Sequence, residues 1–144
     1  MAKGVELRSY GRVFNEVAEA YDRHRPAYPD ALIDSACELA GLAPGARVLE
    51  VGCGTGQLTG SLLARGLRVT AVEPGKQLIA LAREQLAGGG EVQFVNARLE
   101  EAALPGAHYP GVFSASAIHW VNPDVSWWKL AETLVDGGVL ARTV

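Results

Sequence analysis

The stretch Val48-Leu49-Glu50-Val51-Gly52-Cys53-Gly54-Thr55-Gly56-Gln57-Leu58-Thr59 decides the fold. An apolar run ends in three alternate glycines and passes directly into a helical pattern. Glycine permits positive φ and lets a ligand approach the backbone where a Cβ would collide, and the helix that follows begins with N–H groups that have no intrahelical partner. The segment therefore reads as a strand, an open turn and a helix.

Working outward, short apolar runs alternate with helical ones. Arg47 to Val51, Arg68 to Val72, Glu91 to Val95, Val112 to Ala117 and Val139 to Thr143 are predicted strands. Gln57 to Arg65 and Lys76 to Leu86 are predicted helices, the second with Leu78, Leu81, Ala82 and Leu86 on one face. Asn122 and Pro123 supply a side-chain cap and a proline at the first helical position. They open a helix with Trp127, Leu130, Ala131 and Leu134 on one face, Trp128 off it, and Gly137-Gly138 as its end. Upstream, Val13 to Leu42 reads as two helices interrupted at Pro26 and Pro29. The second carries Leu32, Ala36, Leu39 and Ala40 on a stripe and stops at Gly41.

This alternation predicts an α/β, doubly wound, mostly parallel sheet of about five strands covered on both faces, because parallel strands need crossover connections and those are right-handed. Ligands of such sheets sit beyond the carboxyl ends of the strands, near the point where strand order reverses. The residues to examine are therefore the glycine turn, Glu73 after the second strand, Asn96-Ala97-Arg98-Leu99 after the third and His119-Trp120 after the fourth.

A dinucleotide fingerprint would place its third glycine five residues beyond the first, where this chain has Gln57; the third glycine comes one residue early, at Gly56. The arrangement Glu-x-Gly-x-Gly-x-Gly from Glu50 to Gly56 resembles the first motif of class I S-adenosylmethionine-dependent methyltransferases. Phe14 to Asp22, Arg25-Pro26-Ala27-Tyr28-Pro29 and Ala115-Ser116-Ala117-Ile118-His119-Trp120 are similar to segments of the type 11 small-molecule methyltransferases, including relatives of trans-aconitate methyltransferase. The resemblance implies a Rossmann-like methyltransferase fold over 1–144, with a helical lid at 1–44 and the cofactor core at 45–144. It also implies a further helix and an antiparallel strand pair that this chain does not contain, leaving the fifth strand to be covered by a second copy or another strand-edge partner.

The same resemblance distributes the roles. S-adenosyl-L-methionine is the implied cofactor and S-adenosyl-L-homocysteine its product. Gly52, Gly54 and Gly56 would pass beneath the methionyl and ribosyl portions, with Gln57 beside them. Glu73 would accept hydrogen bonds from the ribose hydroxyls, a vicinal diol suiting two acceptor oxygens. Glu50 either organises the loop or reaches the cofactor ammonium indirectly. The loop Asn96-Ala97-Arg98 would meet adenine. Tyr21 and Arg25 would lie near the cofactor carboxylate, for which a guanidinium offers two parallel bonds, and Tyr28 near the substrate opening. His119 is the candidate catalytic base and, with Trp120, the candidate substrate wall; the alternative is that His119 bonds the backbone and Trp120 packs under the lid. Gly111 stands near a place where relatives commonly carry an acid.

The rest of the composition bounds these readings. The 144 residues carry 13 basic and 16 acidic side chains, a net charge of −3, with 49% hydrophobic residues, as expected of one folded domain. The charges are interspersed, so no nucleic-acid partner is expected, and a small-molecule substrate is. Cys37 and Cys53 are too few for a zinc ribbon or a disulfide framework, and Cys53 reads as a small residue of the turn and Cys37 as helix packing. No metal is expected. No run approaches about 18 apolar residues and the start lacks a signal core, so a cytoplasmic protein without a membrane span is expected. Two other functions stay open: a noncatalytic cofactor-binding or interaction domain, and an NAD-dependent oxidoreductase, the latter disfavoured by Gln57.

Overall fold

The computed structural model describes residues 30–115 and 122–143. The elements run α1 (Asp30–Leu39), β1 (Arg47–Val51), α2 (Gln57–Ala64), β2 (Arg68–Val72), α3 (Lys76–Gln85), β3 (Val92–Val95), β4 (Tyr109–Ala115), α4 (Pro123–Thr133) and β5 (Leu134–Thr143). The helix expected before Pro26 and the end of the fourth strand at Ser116-Ala117 lie outside the described residues. Among those described, no helix is long and apolar enough to cross a membrane.

The five strands form one sheet in the order β3-β2-β1-β4-β5, and every neighbouring pair is parallel. From β1 the chain winds outward to β3, then returns across the sheet to β4 on the other side of β1. The carboxyl ends of β1 and β4 therefore flank the reversal of strand order, where doubly wound sheets hold ligands.

Strand alternation builds two core layers. Val48, Val69, Ala71, Phe113 and Ala115 face α1 and α2, meeting Ile33, Cys37, Leu58 and Leu62. Leu49, Val51, Val72 and Val112 face the other way and pack with Leu99, Tyr109 and Leu130 of α4. Successive side chains of a strand point to opposite faces, so both layers can be read from one apolar run. Gly111 belongs to the first layer. A Cβ there would come within 3.2 Å of Leu42 Cδ1 and Phe113 Cε2 and 3.4 Å of Val48 Cγ1. The room an acid would need is taken by apolar groups.

Three helix faces differ from the sequence expectation. In α1 the inward residues are Ile33 and Cys37 with Ala36 beside them, whereas Leu32 and Leu39 are exposed. The proposed stripe was rotated because β1 and α2 select the face, and periodicity alone allowed both. In α3, Ile79 joins Leu78 and Ala82 in burial while Leu81 is only half-buried. In α4, Ser126, Leu130 and Thr133 are buried, but Trp127, Trp128 and Ala131 are exposed. Arg142 lies over the Trp127 ring at 5.6 Å, which gives that exposed indole a partner on β5.

The end of α4 is also a correction. The helix stops at Thr133 rather than at Gly137-Gly138, and Leu134 is already extended with φ −75° and ψ 141°. The amides of Ala107 and His108 donate to the carbonyls of Glu132 and Thr133 at 2.8 and 2.9 Å, so the chain entering β4 satisfies the last groups of the helix. The glycines serve the strand instead. Tyr109 pairs with Leu134 and Gly111 with Val139, so the β5 side carries extra residues, and Gly137 takes φ 78° within that bulge.

Between β3 and β4 the chain makes a short turn at Arg98–Ala102 and no helix. A cavity of about 400 Å³ lies there, between the β2–β3 sheet face and Ala103–Pro105, with Thr70 and Gln93 in its wall. It opens at the start of the strands, bordered by Arg47 and Arg68. The glycine turn lies at their other end.

Candidate functional site

The three glycines after β1 have φ values of 75°, 56° and 96° at Gly52, Gly54 and Gly56. All lie in the left-handed region, where a Cβ carries a steric cost, so the turn itself demands glycine. Gly56 has a second constraint: an added Cβ would lie 2.9 Å from Leu86 Cδ1 and 3.3 Å from Ala82 Cβ. The turn is pinned by its own amides, with Gly52 donating to Val72 O at 2.7 Å and Gly56 to Cys53 O at 3.0 Å.

Beneath the turn, Glu50 is 1% exposed and accepts a hydrogen bond from the Thr59 hydroxyl. A buried carboxylate is tolerated only when donors compensate its lost hydration. Glu50 thus joins the end of β1 to the first turn of α2. Thr55 is fully buried and accepts from Gln57 Nε2 at 2.6 Å, so the Gln57 amide folds back over its own loop. Cys53 is buried as a small apolar side chain.

Glu73 closes the arrangement from β2. It is 6% exposed, its Oε1 accepts from the Gly54 amide at 3.0 Å, and its Oε2 accepts from the Gly75 amide at 2.7 Å. The carboxylate therefore spans the turns after β1 and β2. On the β3 side, Asn96 Nδ2 donates to the carbonyls of Glu73 and Pro74 at 3.0 and 3.1 Å. Ala97 donates its amide to Val95 O, and the Arg98 carbonyl caps the short turn by accepting from Glu101 and Ala102. On the β4 side, Ser114 Oγ donates to Val51 O at 3.1 Å, tying the last residue of β1 to its neighbour across the reversal point.

The structure thus brings Glu50, Gly52, Gly54, Gly56, Gln57, Glu73 and Asn96 to one end of the sheet. Ala97 and Arg98 follow directly after Asn96, where the chain enters the adjacent turn. Tyr21, Arg25, Tyr28, His119 and Trp120 lie outside the described residues. Sequence reasoning missed Thr55, Thr59, Gly75 and Ser114. A signal existed for Gly75, a glycine two residues after the acid and one before a helix, but the hydroxyl residues became visible only through their partners.

The chain matches the family described as "Methyltransferase domain" over residues 48–138. It belongs to that family. This methyltransferase domain is 36% identical over 129 residues to an uncharacterized methyltransferase of Mycobacterium tuberculosis, covering 88% of this chain and 49% of that one. It is 31% identical over 143 residues to a malonyl-[acyl-carrier protein] O-methyltransferase of Enterobacter lignolyticus, covering 96% of this chain and 54% of the relative. A crystal structure described as an S-adenosyl-L-methionine-dependent methyltransferase of Methanococcus maripaludis superposes with a TM-score of 0.73 at 16% identity, over 94% of this chain and 62% of that one. The chain spans about half the length of the curated relatives it matches. S-adenosylmethionine is the cofactor of this family. The residues present fit it: the turn has no Cβ at three alternate positions, and a carboxylate is held against that turn at the end of the next strand.

Proposed function

We propose that this methyltransferase domain binds S-adenosylmethionine across the glycine turn and Glu73 and serves methyl transfer to a small-molecule acceptor, with an organic acid carboxylate as the favoured class. The observation that carries the reading is Glu73, whose two oxygens are oriented by amides of two different turns. A carboxylate presents two oxygens with about four acceptor positions, a chemistry suited to the paired donors of a ribose diol. The relative that methylates a malonyl-carrier oxygen supports an acidic acceptor.

The chemistry supplied by the bound cofactor is an electrophilic methyl group on a sulfonium, which becomes a neutral thioether. The protein's part is alignment and exclusion of water. In this reading the turn of Gly52, Gly54 and Gly56 borders the methionyl and ribosyl portions, Glu73 fixes the ribose, and Asn96-Ala97-Arg98 borders the adenine side. Tyr21 and Arg25 are assigned to the cofactor carboxylate and Tyr28, His119 and Trp120 to the acceptor, on the resemblance of their segments. A carboxylate acceptor is already ionised at neutral pH and needs no base, which makes His119 an orienting donor for that class and a base for a hydroxyl acceptor.

Calorimetric titration of the chain with S-adenosylmethionine, S-adenosylhomocysteine and NAD tests the reading. Binding of the first two without NAD is expected, followed by label transfer from methyl-labelled cofactor to members of a small-acid panel. Binding of NAD in preference to both sulfur compounds would overturn it.

A further inference from the structure

We infer that Asn96 is a positioning residue: its side-chain amide straps the end of β3 to the turn that carries Glu73 and thereby holds the Glu73 carboxylate against the glycine loop. The consequence for the cofactor rests on the reading proposed above; the strap itself does not.

Four contacts converge on Glu73. Its backbone amide donates to Val95 O at 3.0 Å, and its carbonyl accepts from Asn96 Nδ2 at 3.0 Å, so both main-chain polar groups are engaged by the end of β3. Its side-chain oxygens accept from the Gly54 and Gly75 amides at 3.0 and 2.7 Å. Of these four contacts, three come from main-chain groups of the neighbours and one from a side chain. Asn96 is therefore a place where a side-chain substitution can loosen Glu73 without rebuilding a strand.

The same amide nitrogen reaches Pro74 O at 3.1 Å, one peptide further along the turn. An –NH₂ group has two protons and both acceptors are carbonyls, which only accept, so the nitrogen end must face them. The strap grips successive carbonyls. The turn is then held on its outer side by Asn96 and on its inner side by the bond from Gly75 to Glu73 Oε2. Asn96 is itself exposed, so apolar burial does not account for its placement. With both amide protons committed to the turn, its side-chain nitrogen is not the group that meets adenine. What its side chain still offers a ligand is Oδ1, an acceptor, and the strap adds to that expected contact an indirect role through Glu73.

Substitutions separate these roles. Asn96→Ala removes both donors, Asn96→Ser retains one, and Asn96→Asp sets a carboxylate against two carbonyl oxygens. The first readout is amide hydrogen exchange of the full chain without cofactor. Asn96→Ala should speed exchange at Gly75 and Gly54 by about tenfold, the scale of one to two net hydrogen bonds, while Val48 and Val112 in the central strands keep their rates. Asn96→Asp should exceed this and Asn96→Ser fall between. The second readout is calorimetry with S-adenosylhomocysteine: affinity should drop about fivefold to tenfold in Asn96→Ala, and this loss should shrink when Glu73 is already alanine. Unchanged exchange at Gly75 would overturn the strap. A loss that persists in full in the Glu73→Ala background would overturn the indirect role and leave Asn96 the direct contact alone. Should the unaltered chain fail to bind S-adenosylhomocysteine, the proposed function fails, and the exchange rates still decide the strap.

Discussion

Gly54 and Glu73 stand 19 residues apart and belong to turns after different strands, yet the Gly54 amide donates to Glu73 Oε1 at 3.0 Å in a buried contact. The parallel register sets up this meeting. Val51 lies opposite Val72, so the two turns leave the sheet at the same height. With Gly75 on the other oxygen, the carboxylate is fixed before any ligand arrives, and pre-orientation lowers the ordering cost of binding.

Glu73→Gln tests this arrangement with little change of shape. An amide has one acceptor oxygen and one donor nitrogen, so it cannot accept from both Gly54 and Gly75. S-adenosylhomocysteine affinity should fall by roughly 1.5–3 kcal/mol, the scale for hydrogen bonds to a charged group. Calorimetry would show it, and equal affinity in the variant would remove Glu73 from the site.

Gly56 and Gly45 form a natural pair for separating strain from collision. Both have strongly positive φ, 96° and 91°, but a Cβ at Gly45 meets nothing within 4 Å whereas one at Gly56 would lie 2.9 Å from Leu86 Cδ1. Gly45→Ala should cost only the dihedral term, about 1 kcal/mol. Gly56→Ala should cost roughly 1–3 kcal/mol more, from overpacking against α3. Urea unfolding of the two variants measures the difference; equal losses would mean that Leu86 moves aside freely.

These glycines also show what a sequence can disclose. Their spacing announced a turn and Glu73 an acidic partner, because backbone conformation and strand-end position are local properties. The face of α1 was misread because Leu32 and Leu39 satisfy helical periodicity as well as Ile33 and Cys37, and only the sheet beneath decides between them. Gly137-Gly138 looked like a helix stop because a bulge in a strand uses the same residue for the same left-handed geometry. Thr59 carried no signal at all. Its role depends on Glu50 lying one strand-end away, buried and in need of a donor.

Thr59→Val follows from that contact. Valine keeps the branched shape and removes the hydroxyl that donates to Glu50, leaving a buried carboxylate with one donor fewer. Stability should fall by about 1.5–3 kcal/mol, as for other bonds to charged groups. In chemical denaturation the double variant Thr59→Val with Glu50→Gln should lose less than the sum of the single changes, since both act on one bond. Strict additivity would contradict the coupling.

Cys37 supplies a pH-dependent test. Burial pushes its thiol above the ordinary range; Arg65 opposes the shift and Asp34 adds to it. The folded protein therefore keeps a proton that the unfolded chain releases at about pH 8.5. Above that pH the unfolded state binds fewer protons than the folded one, so stability declines as pH rises, until the folded thiol also ionises. Cys37→Ala removes this contribution. Unfolding free energies measured between about pH 7 and 10 should fall less steeply in Cys37→Ala than in the unaltered chain, even though the alanine costs packing at every pH. Parallel pH profiles would show that the thiol titrates alike in both states and that its burial exerts no such effect.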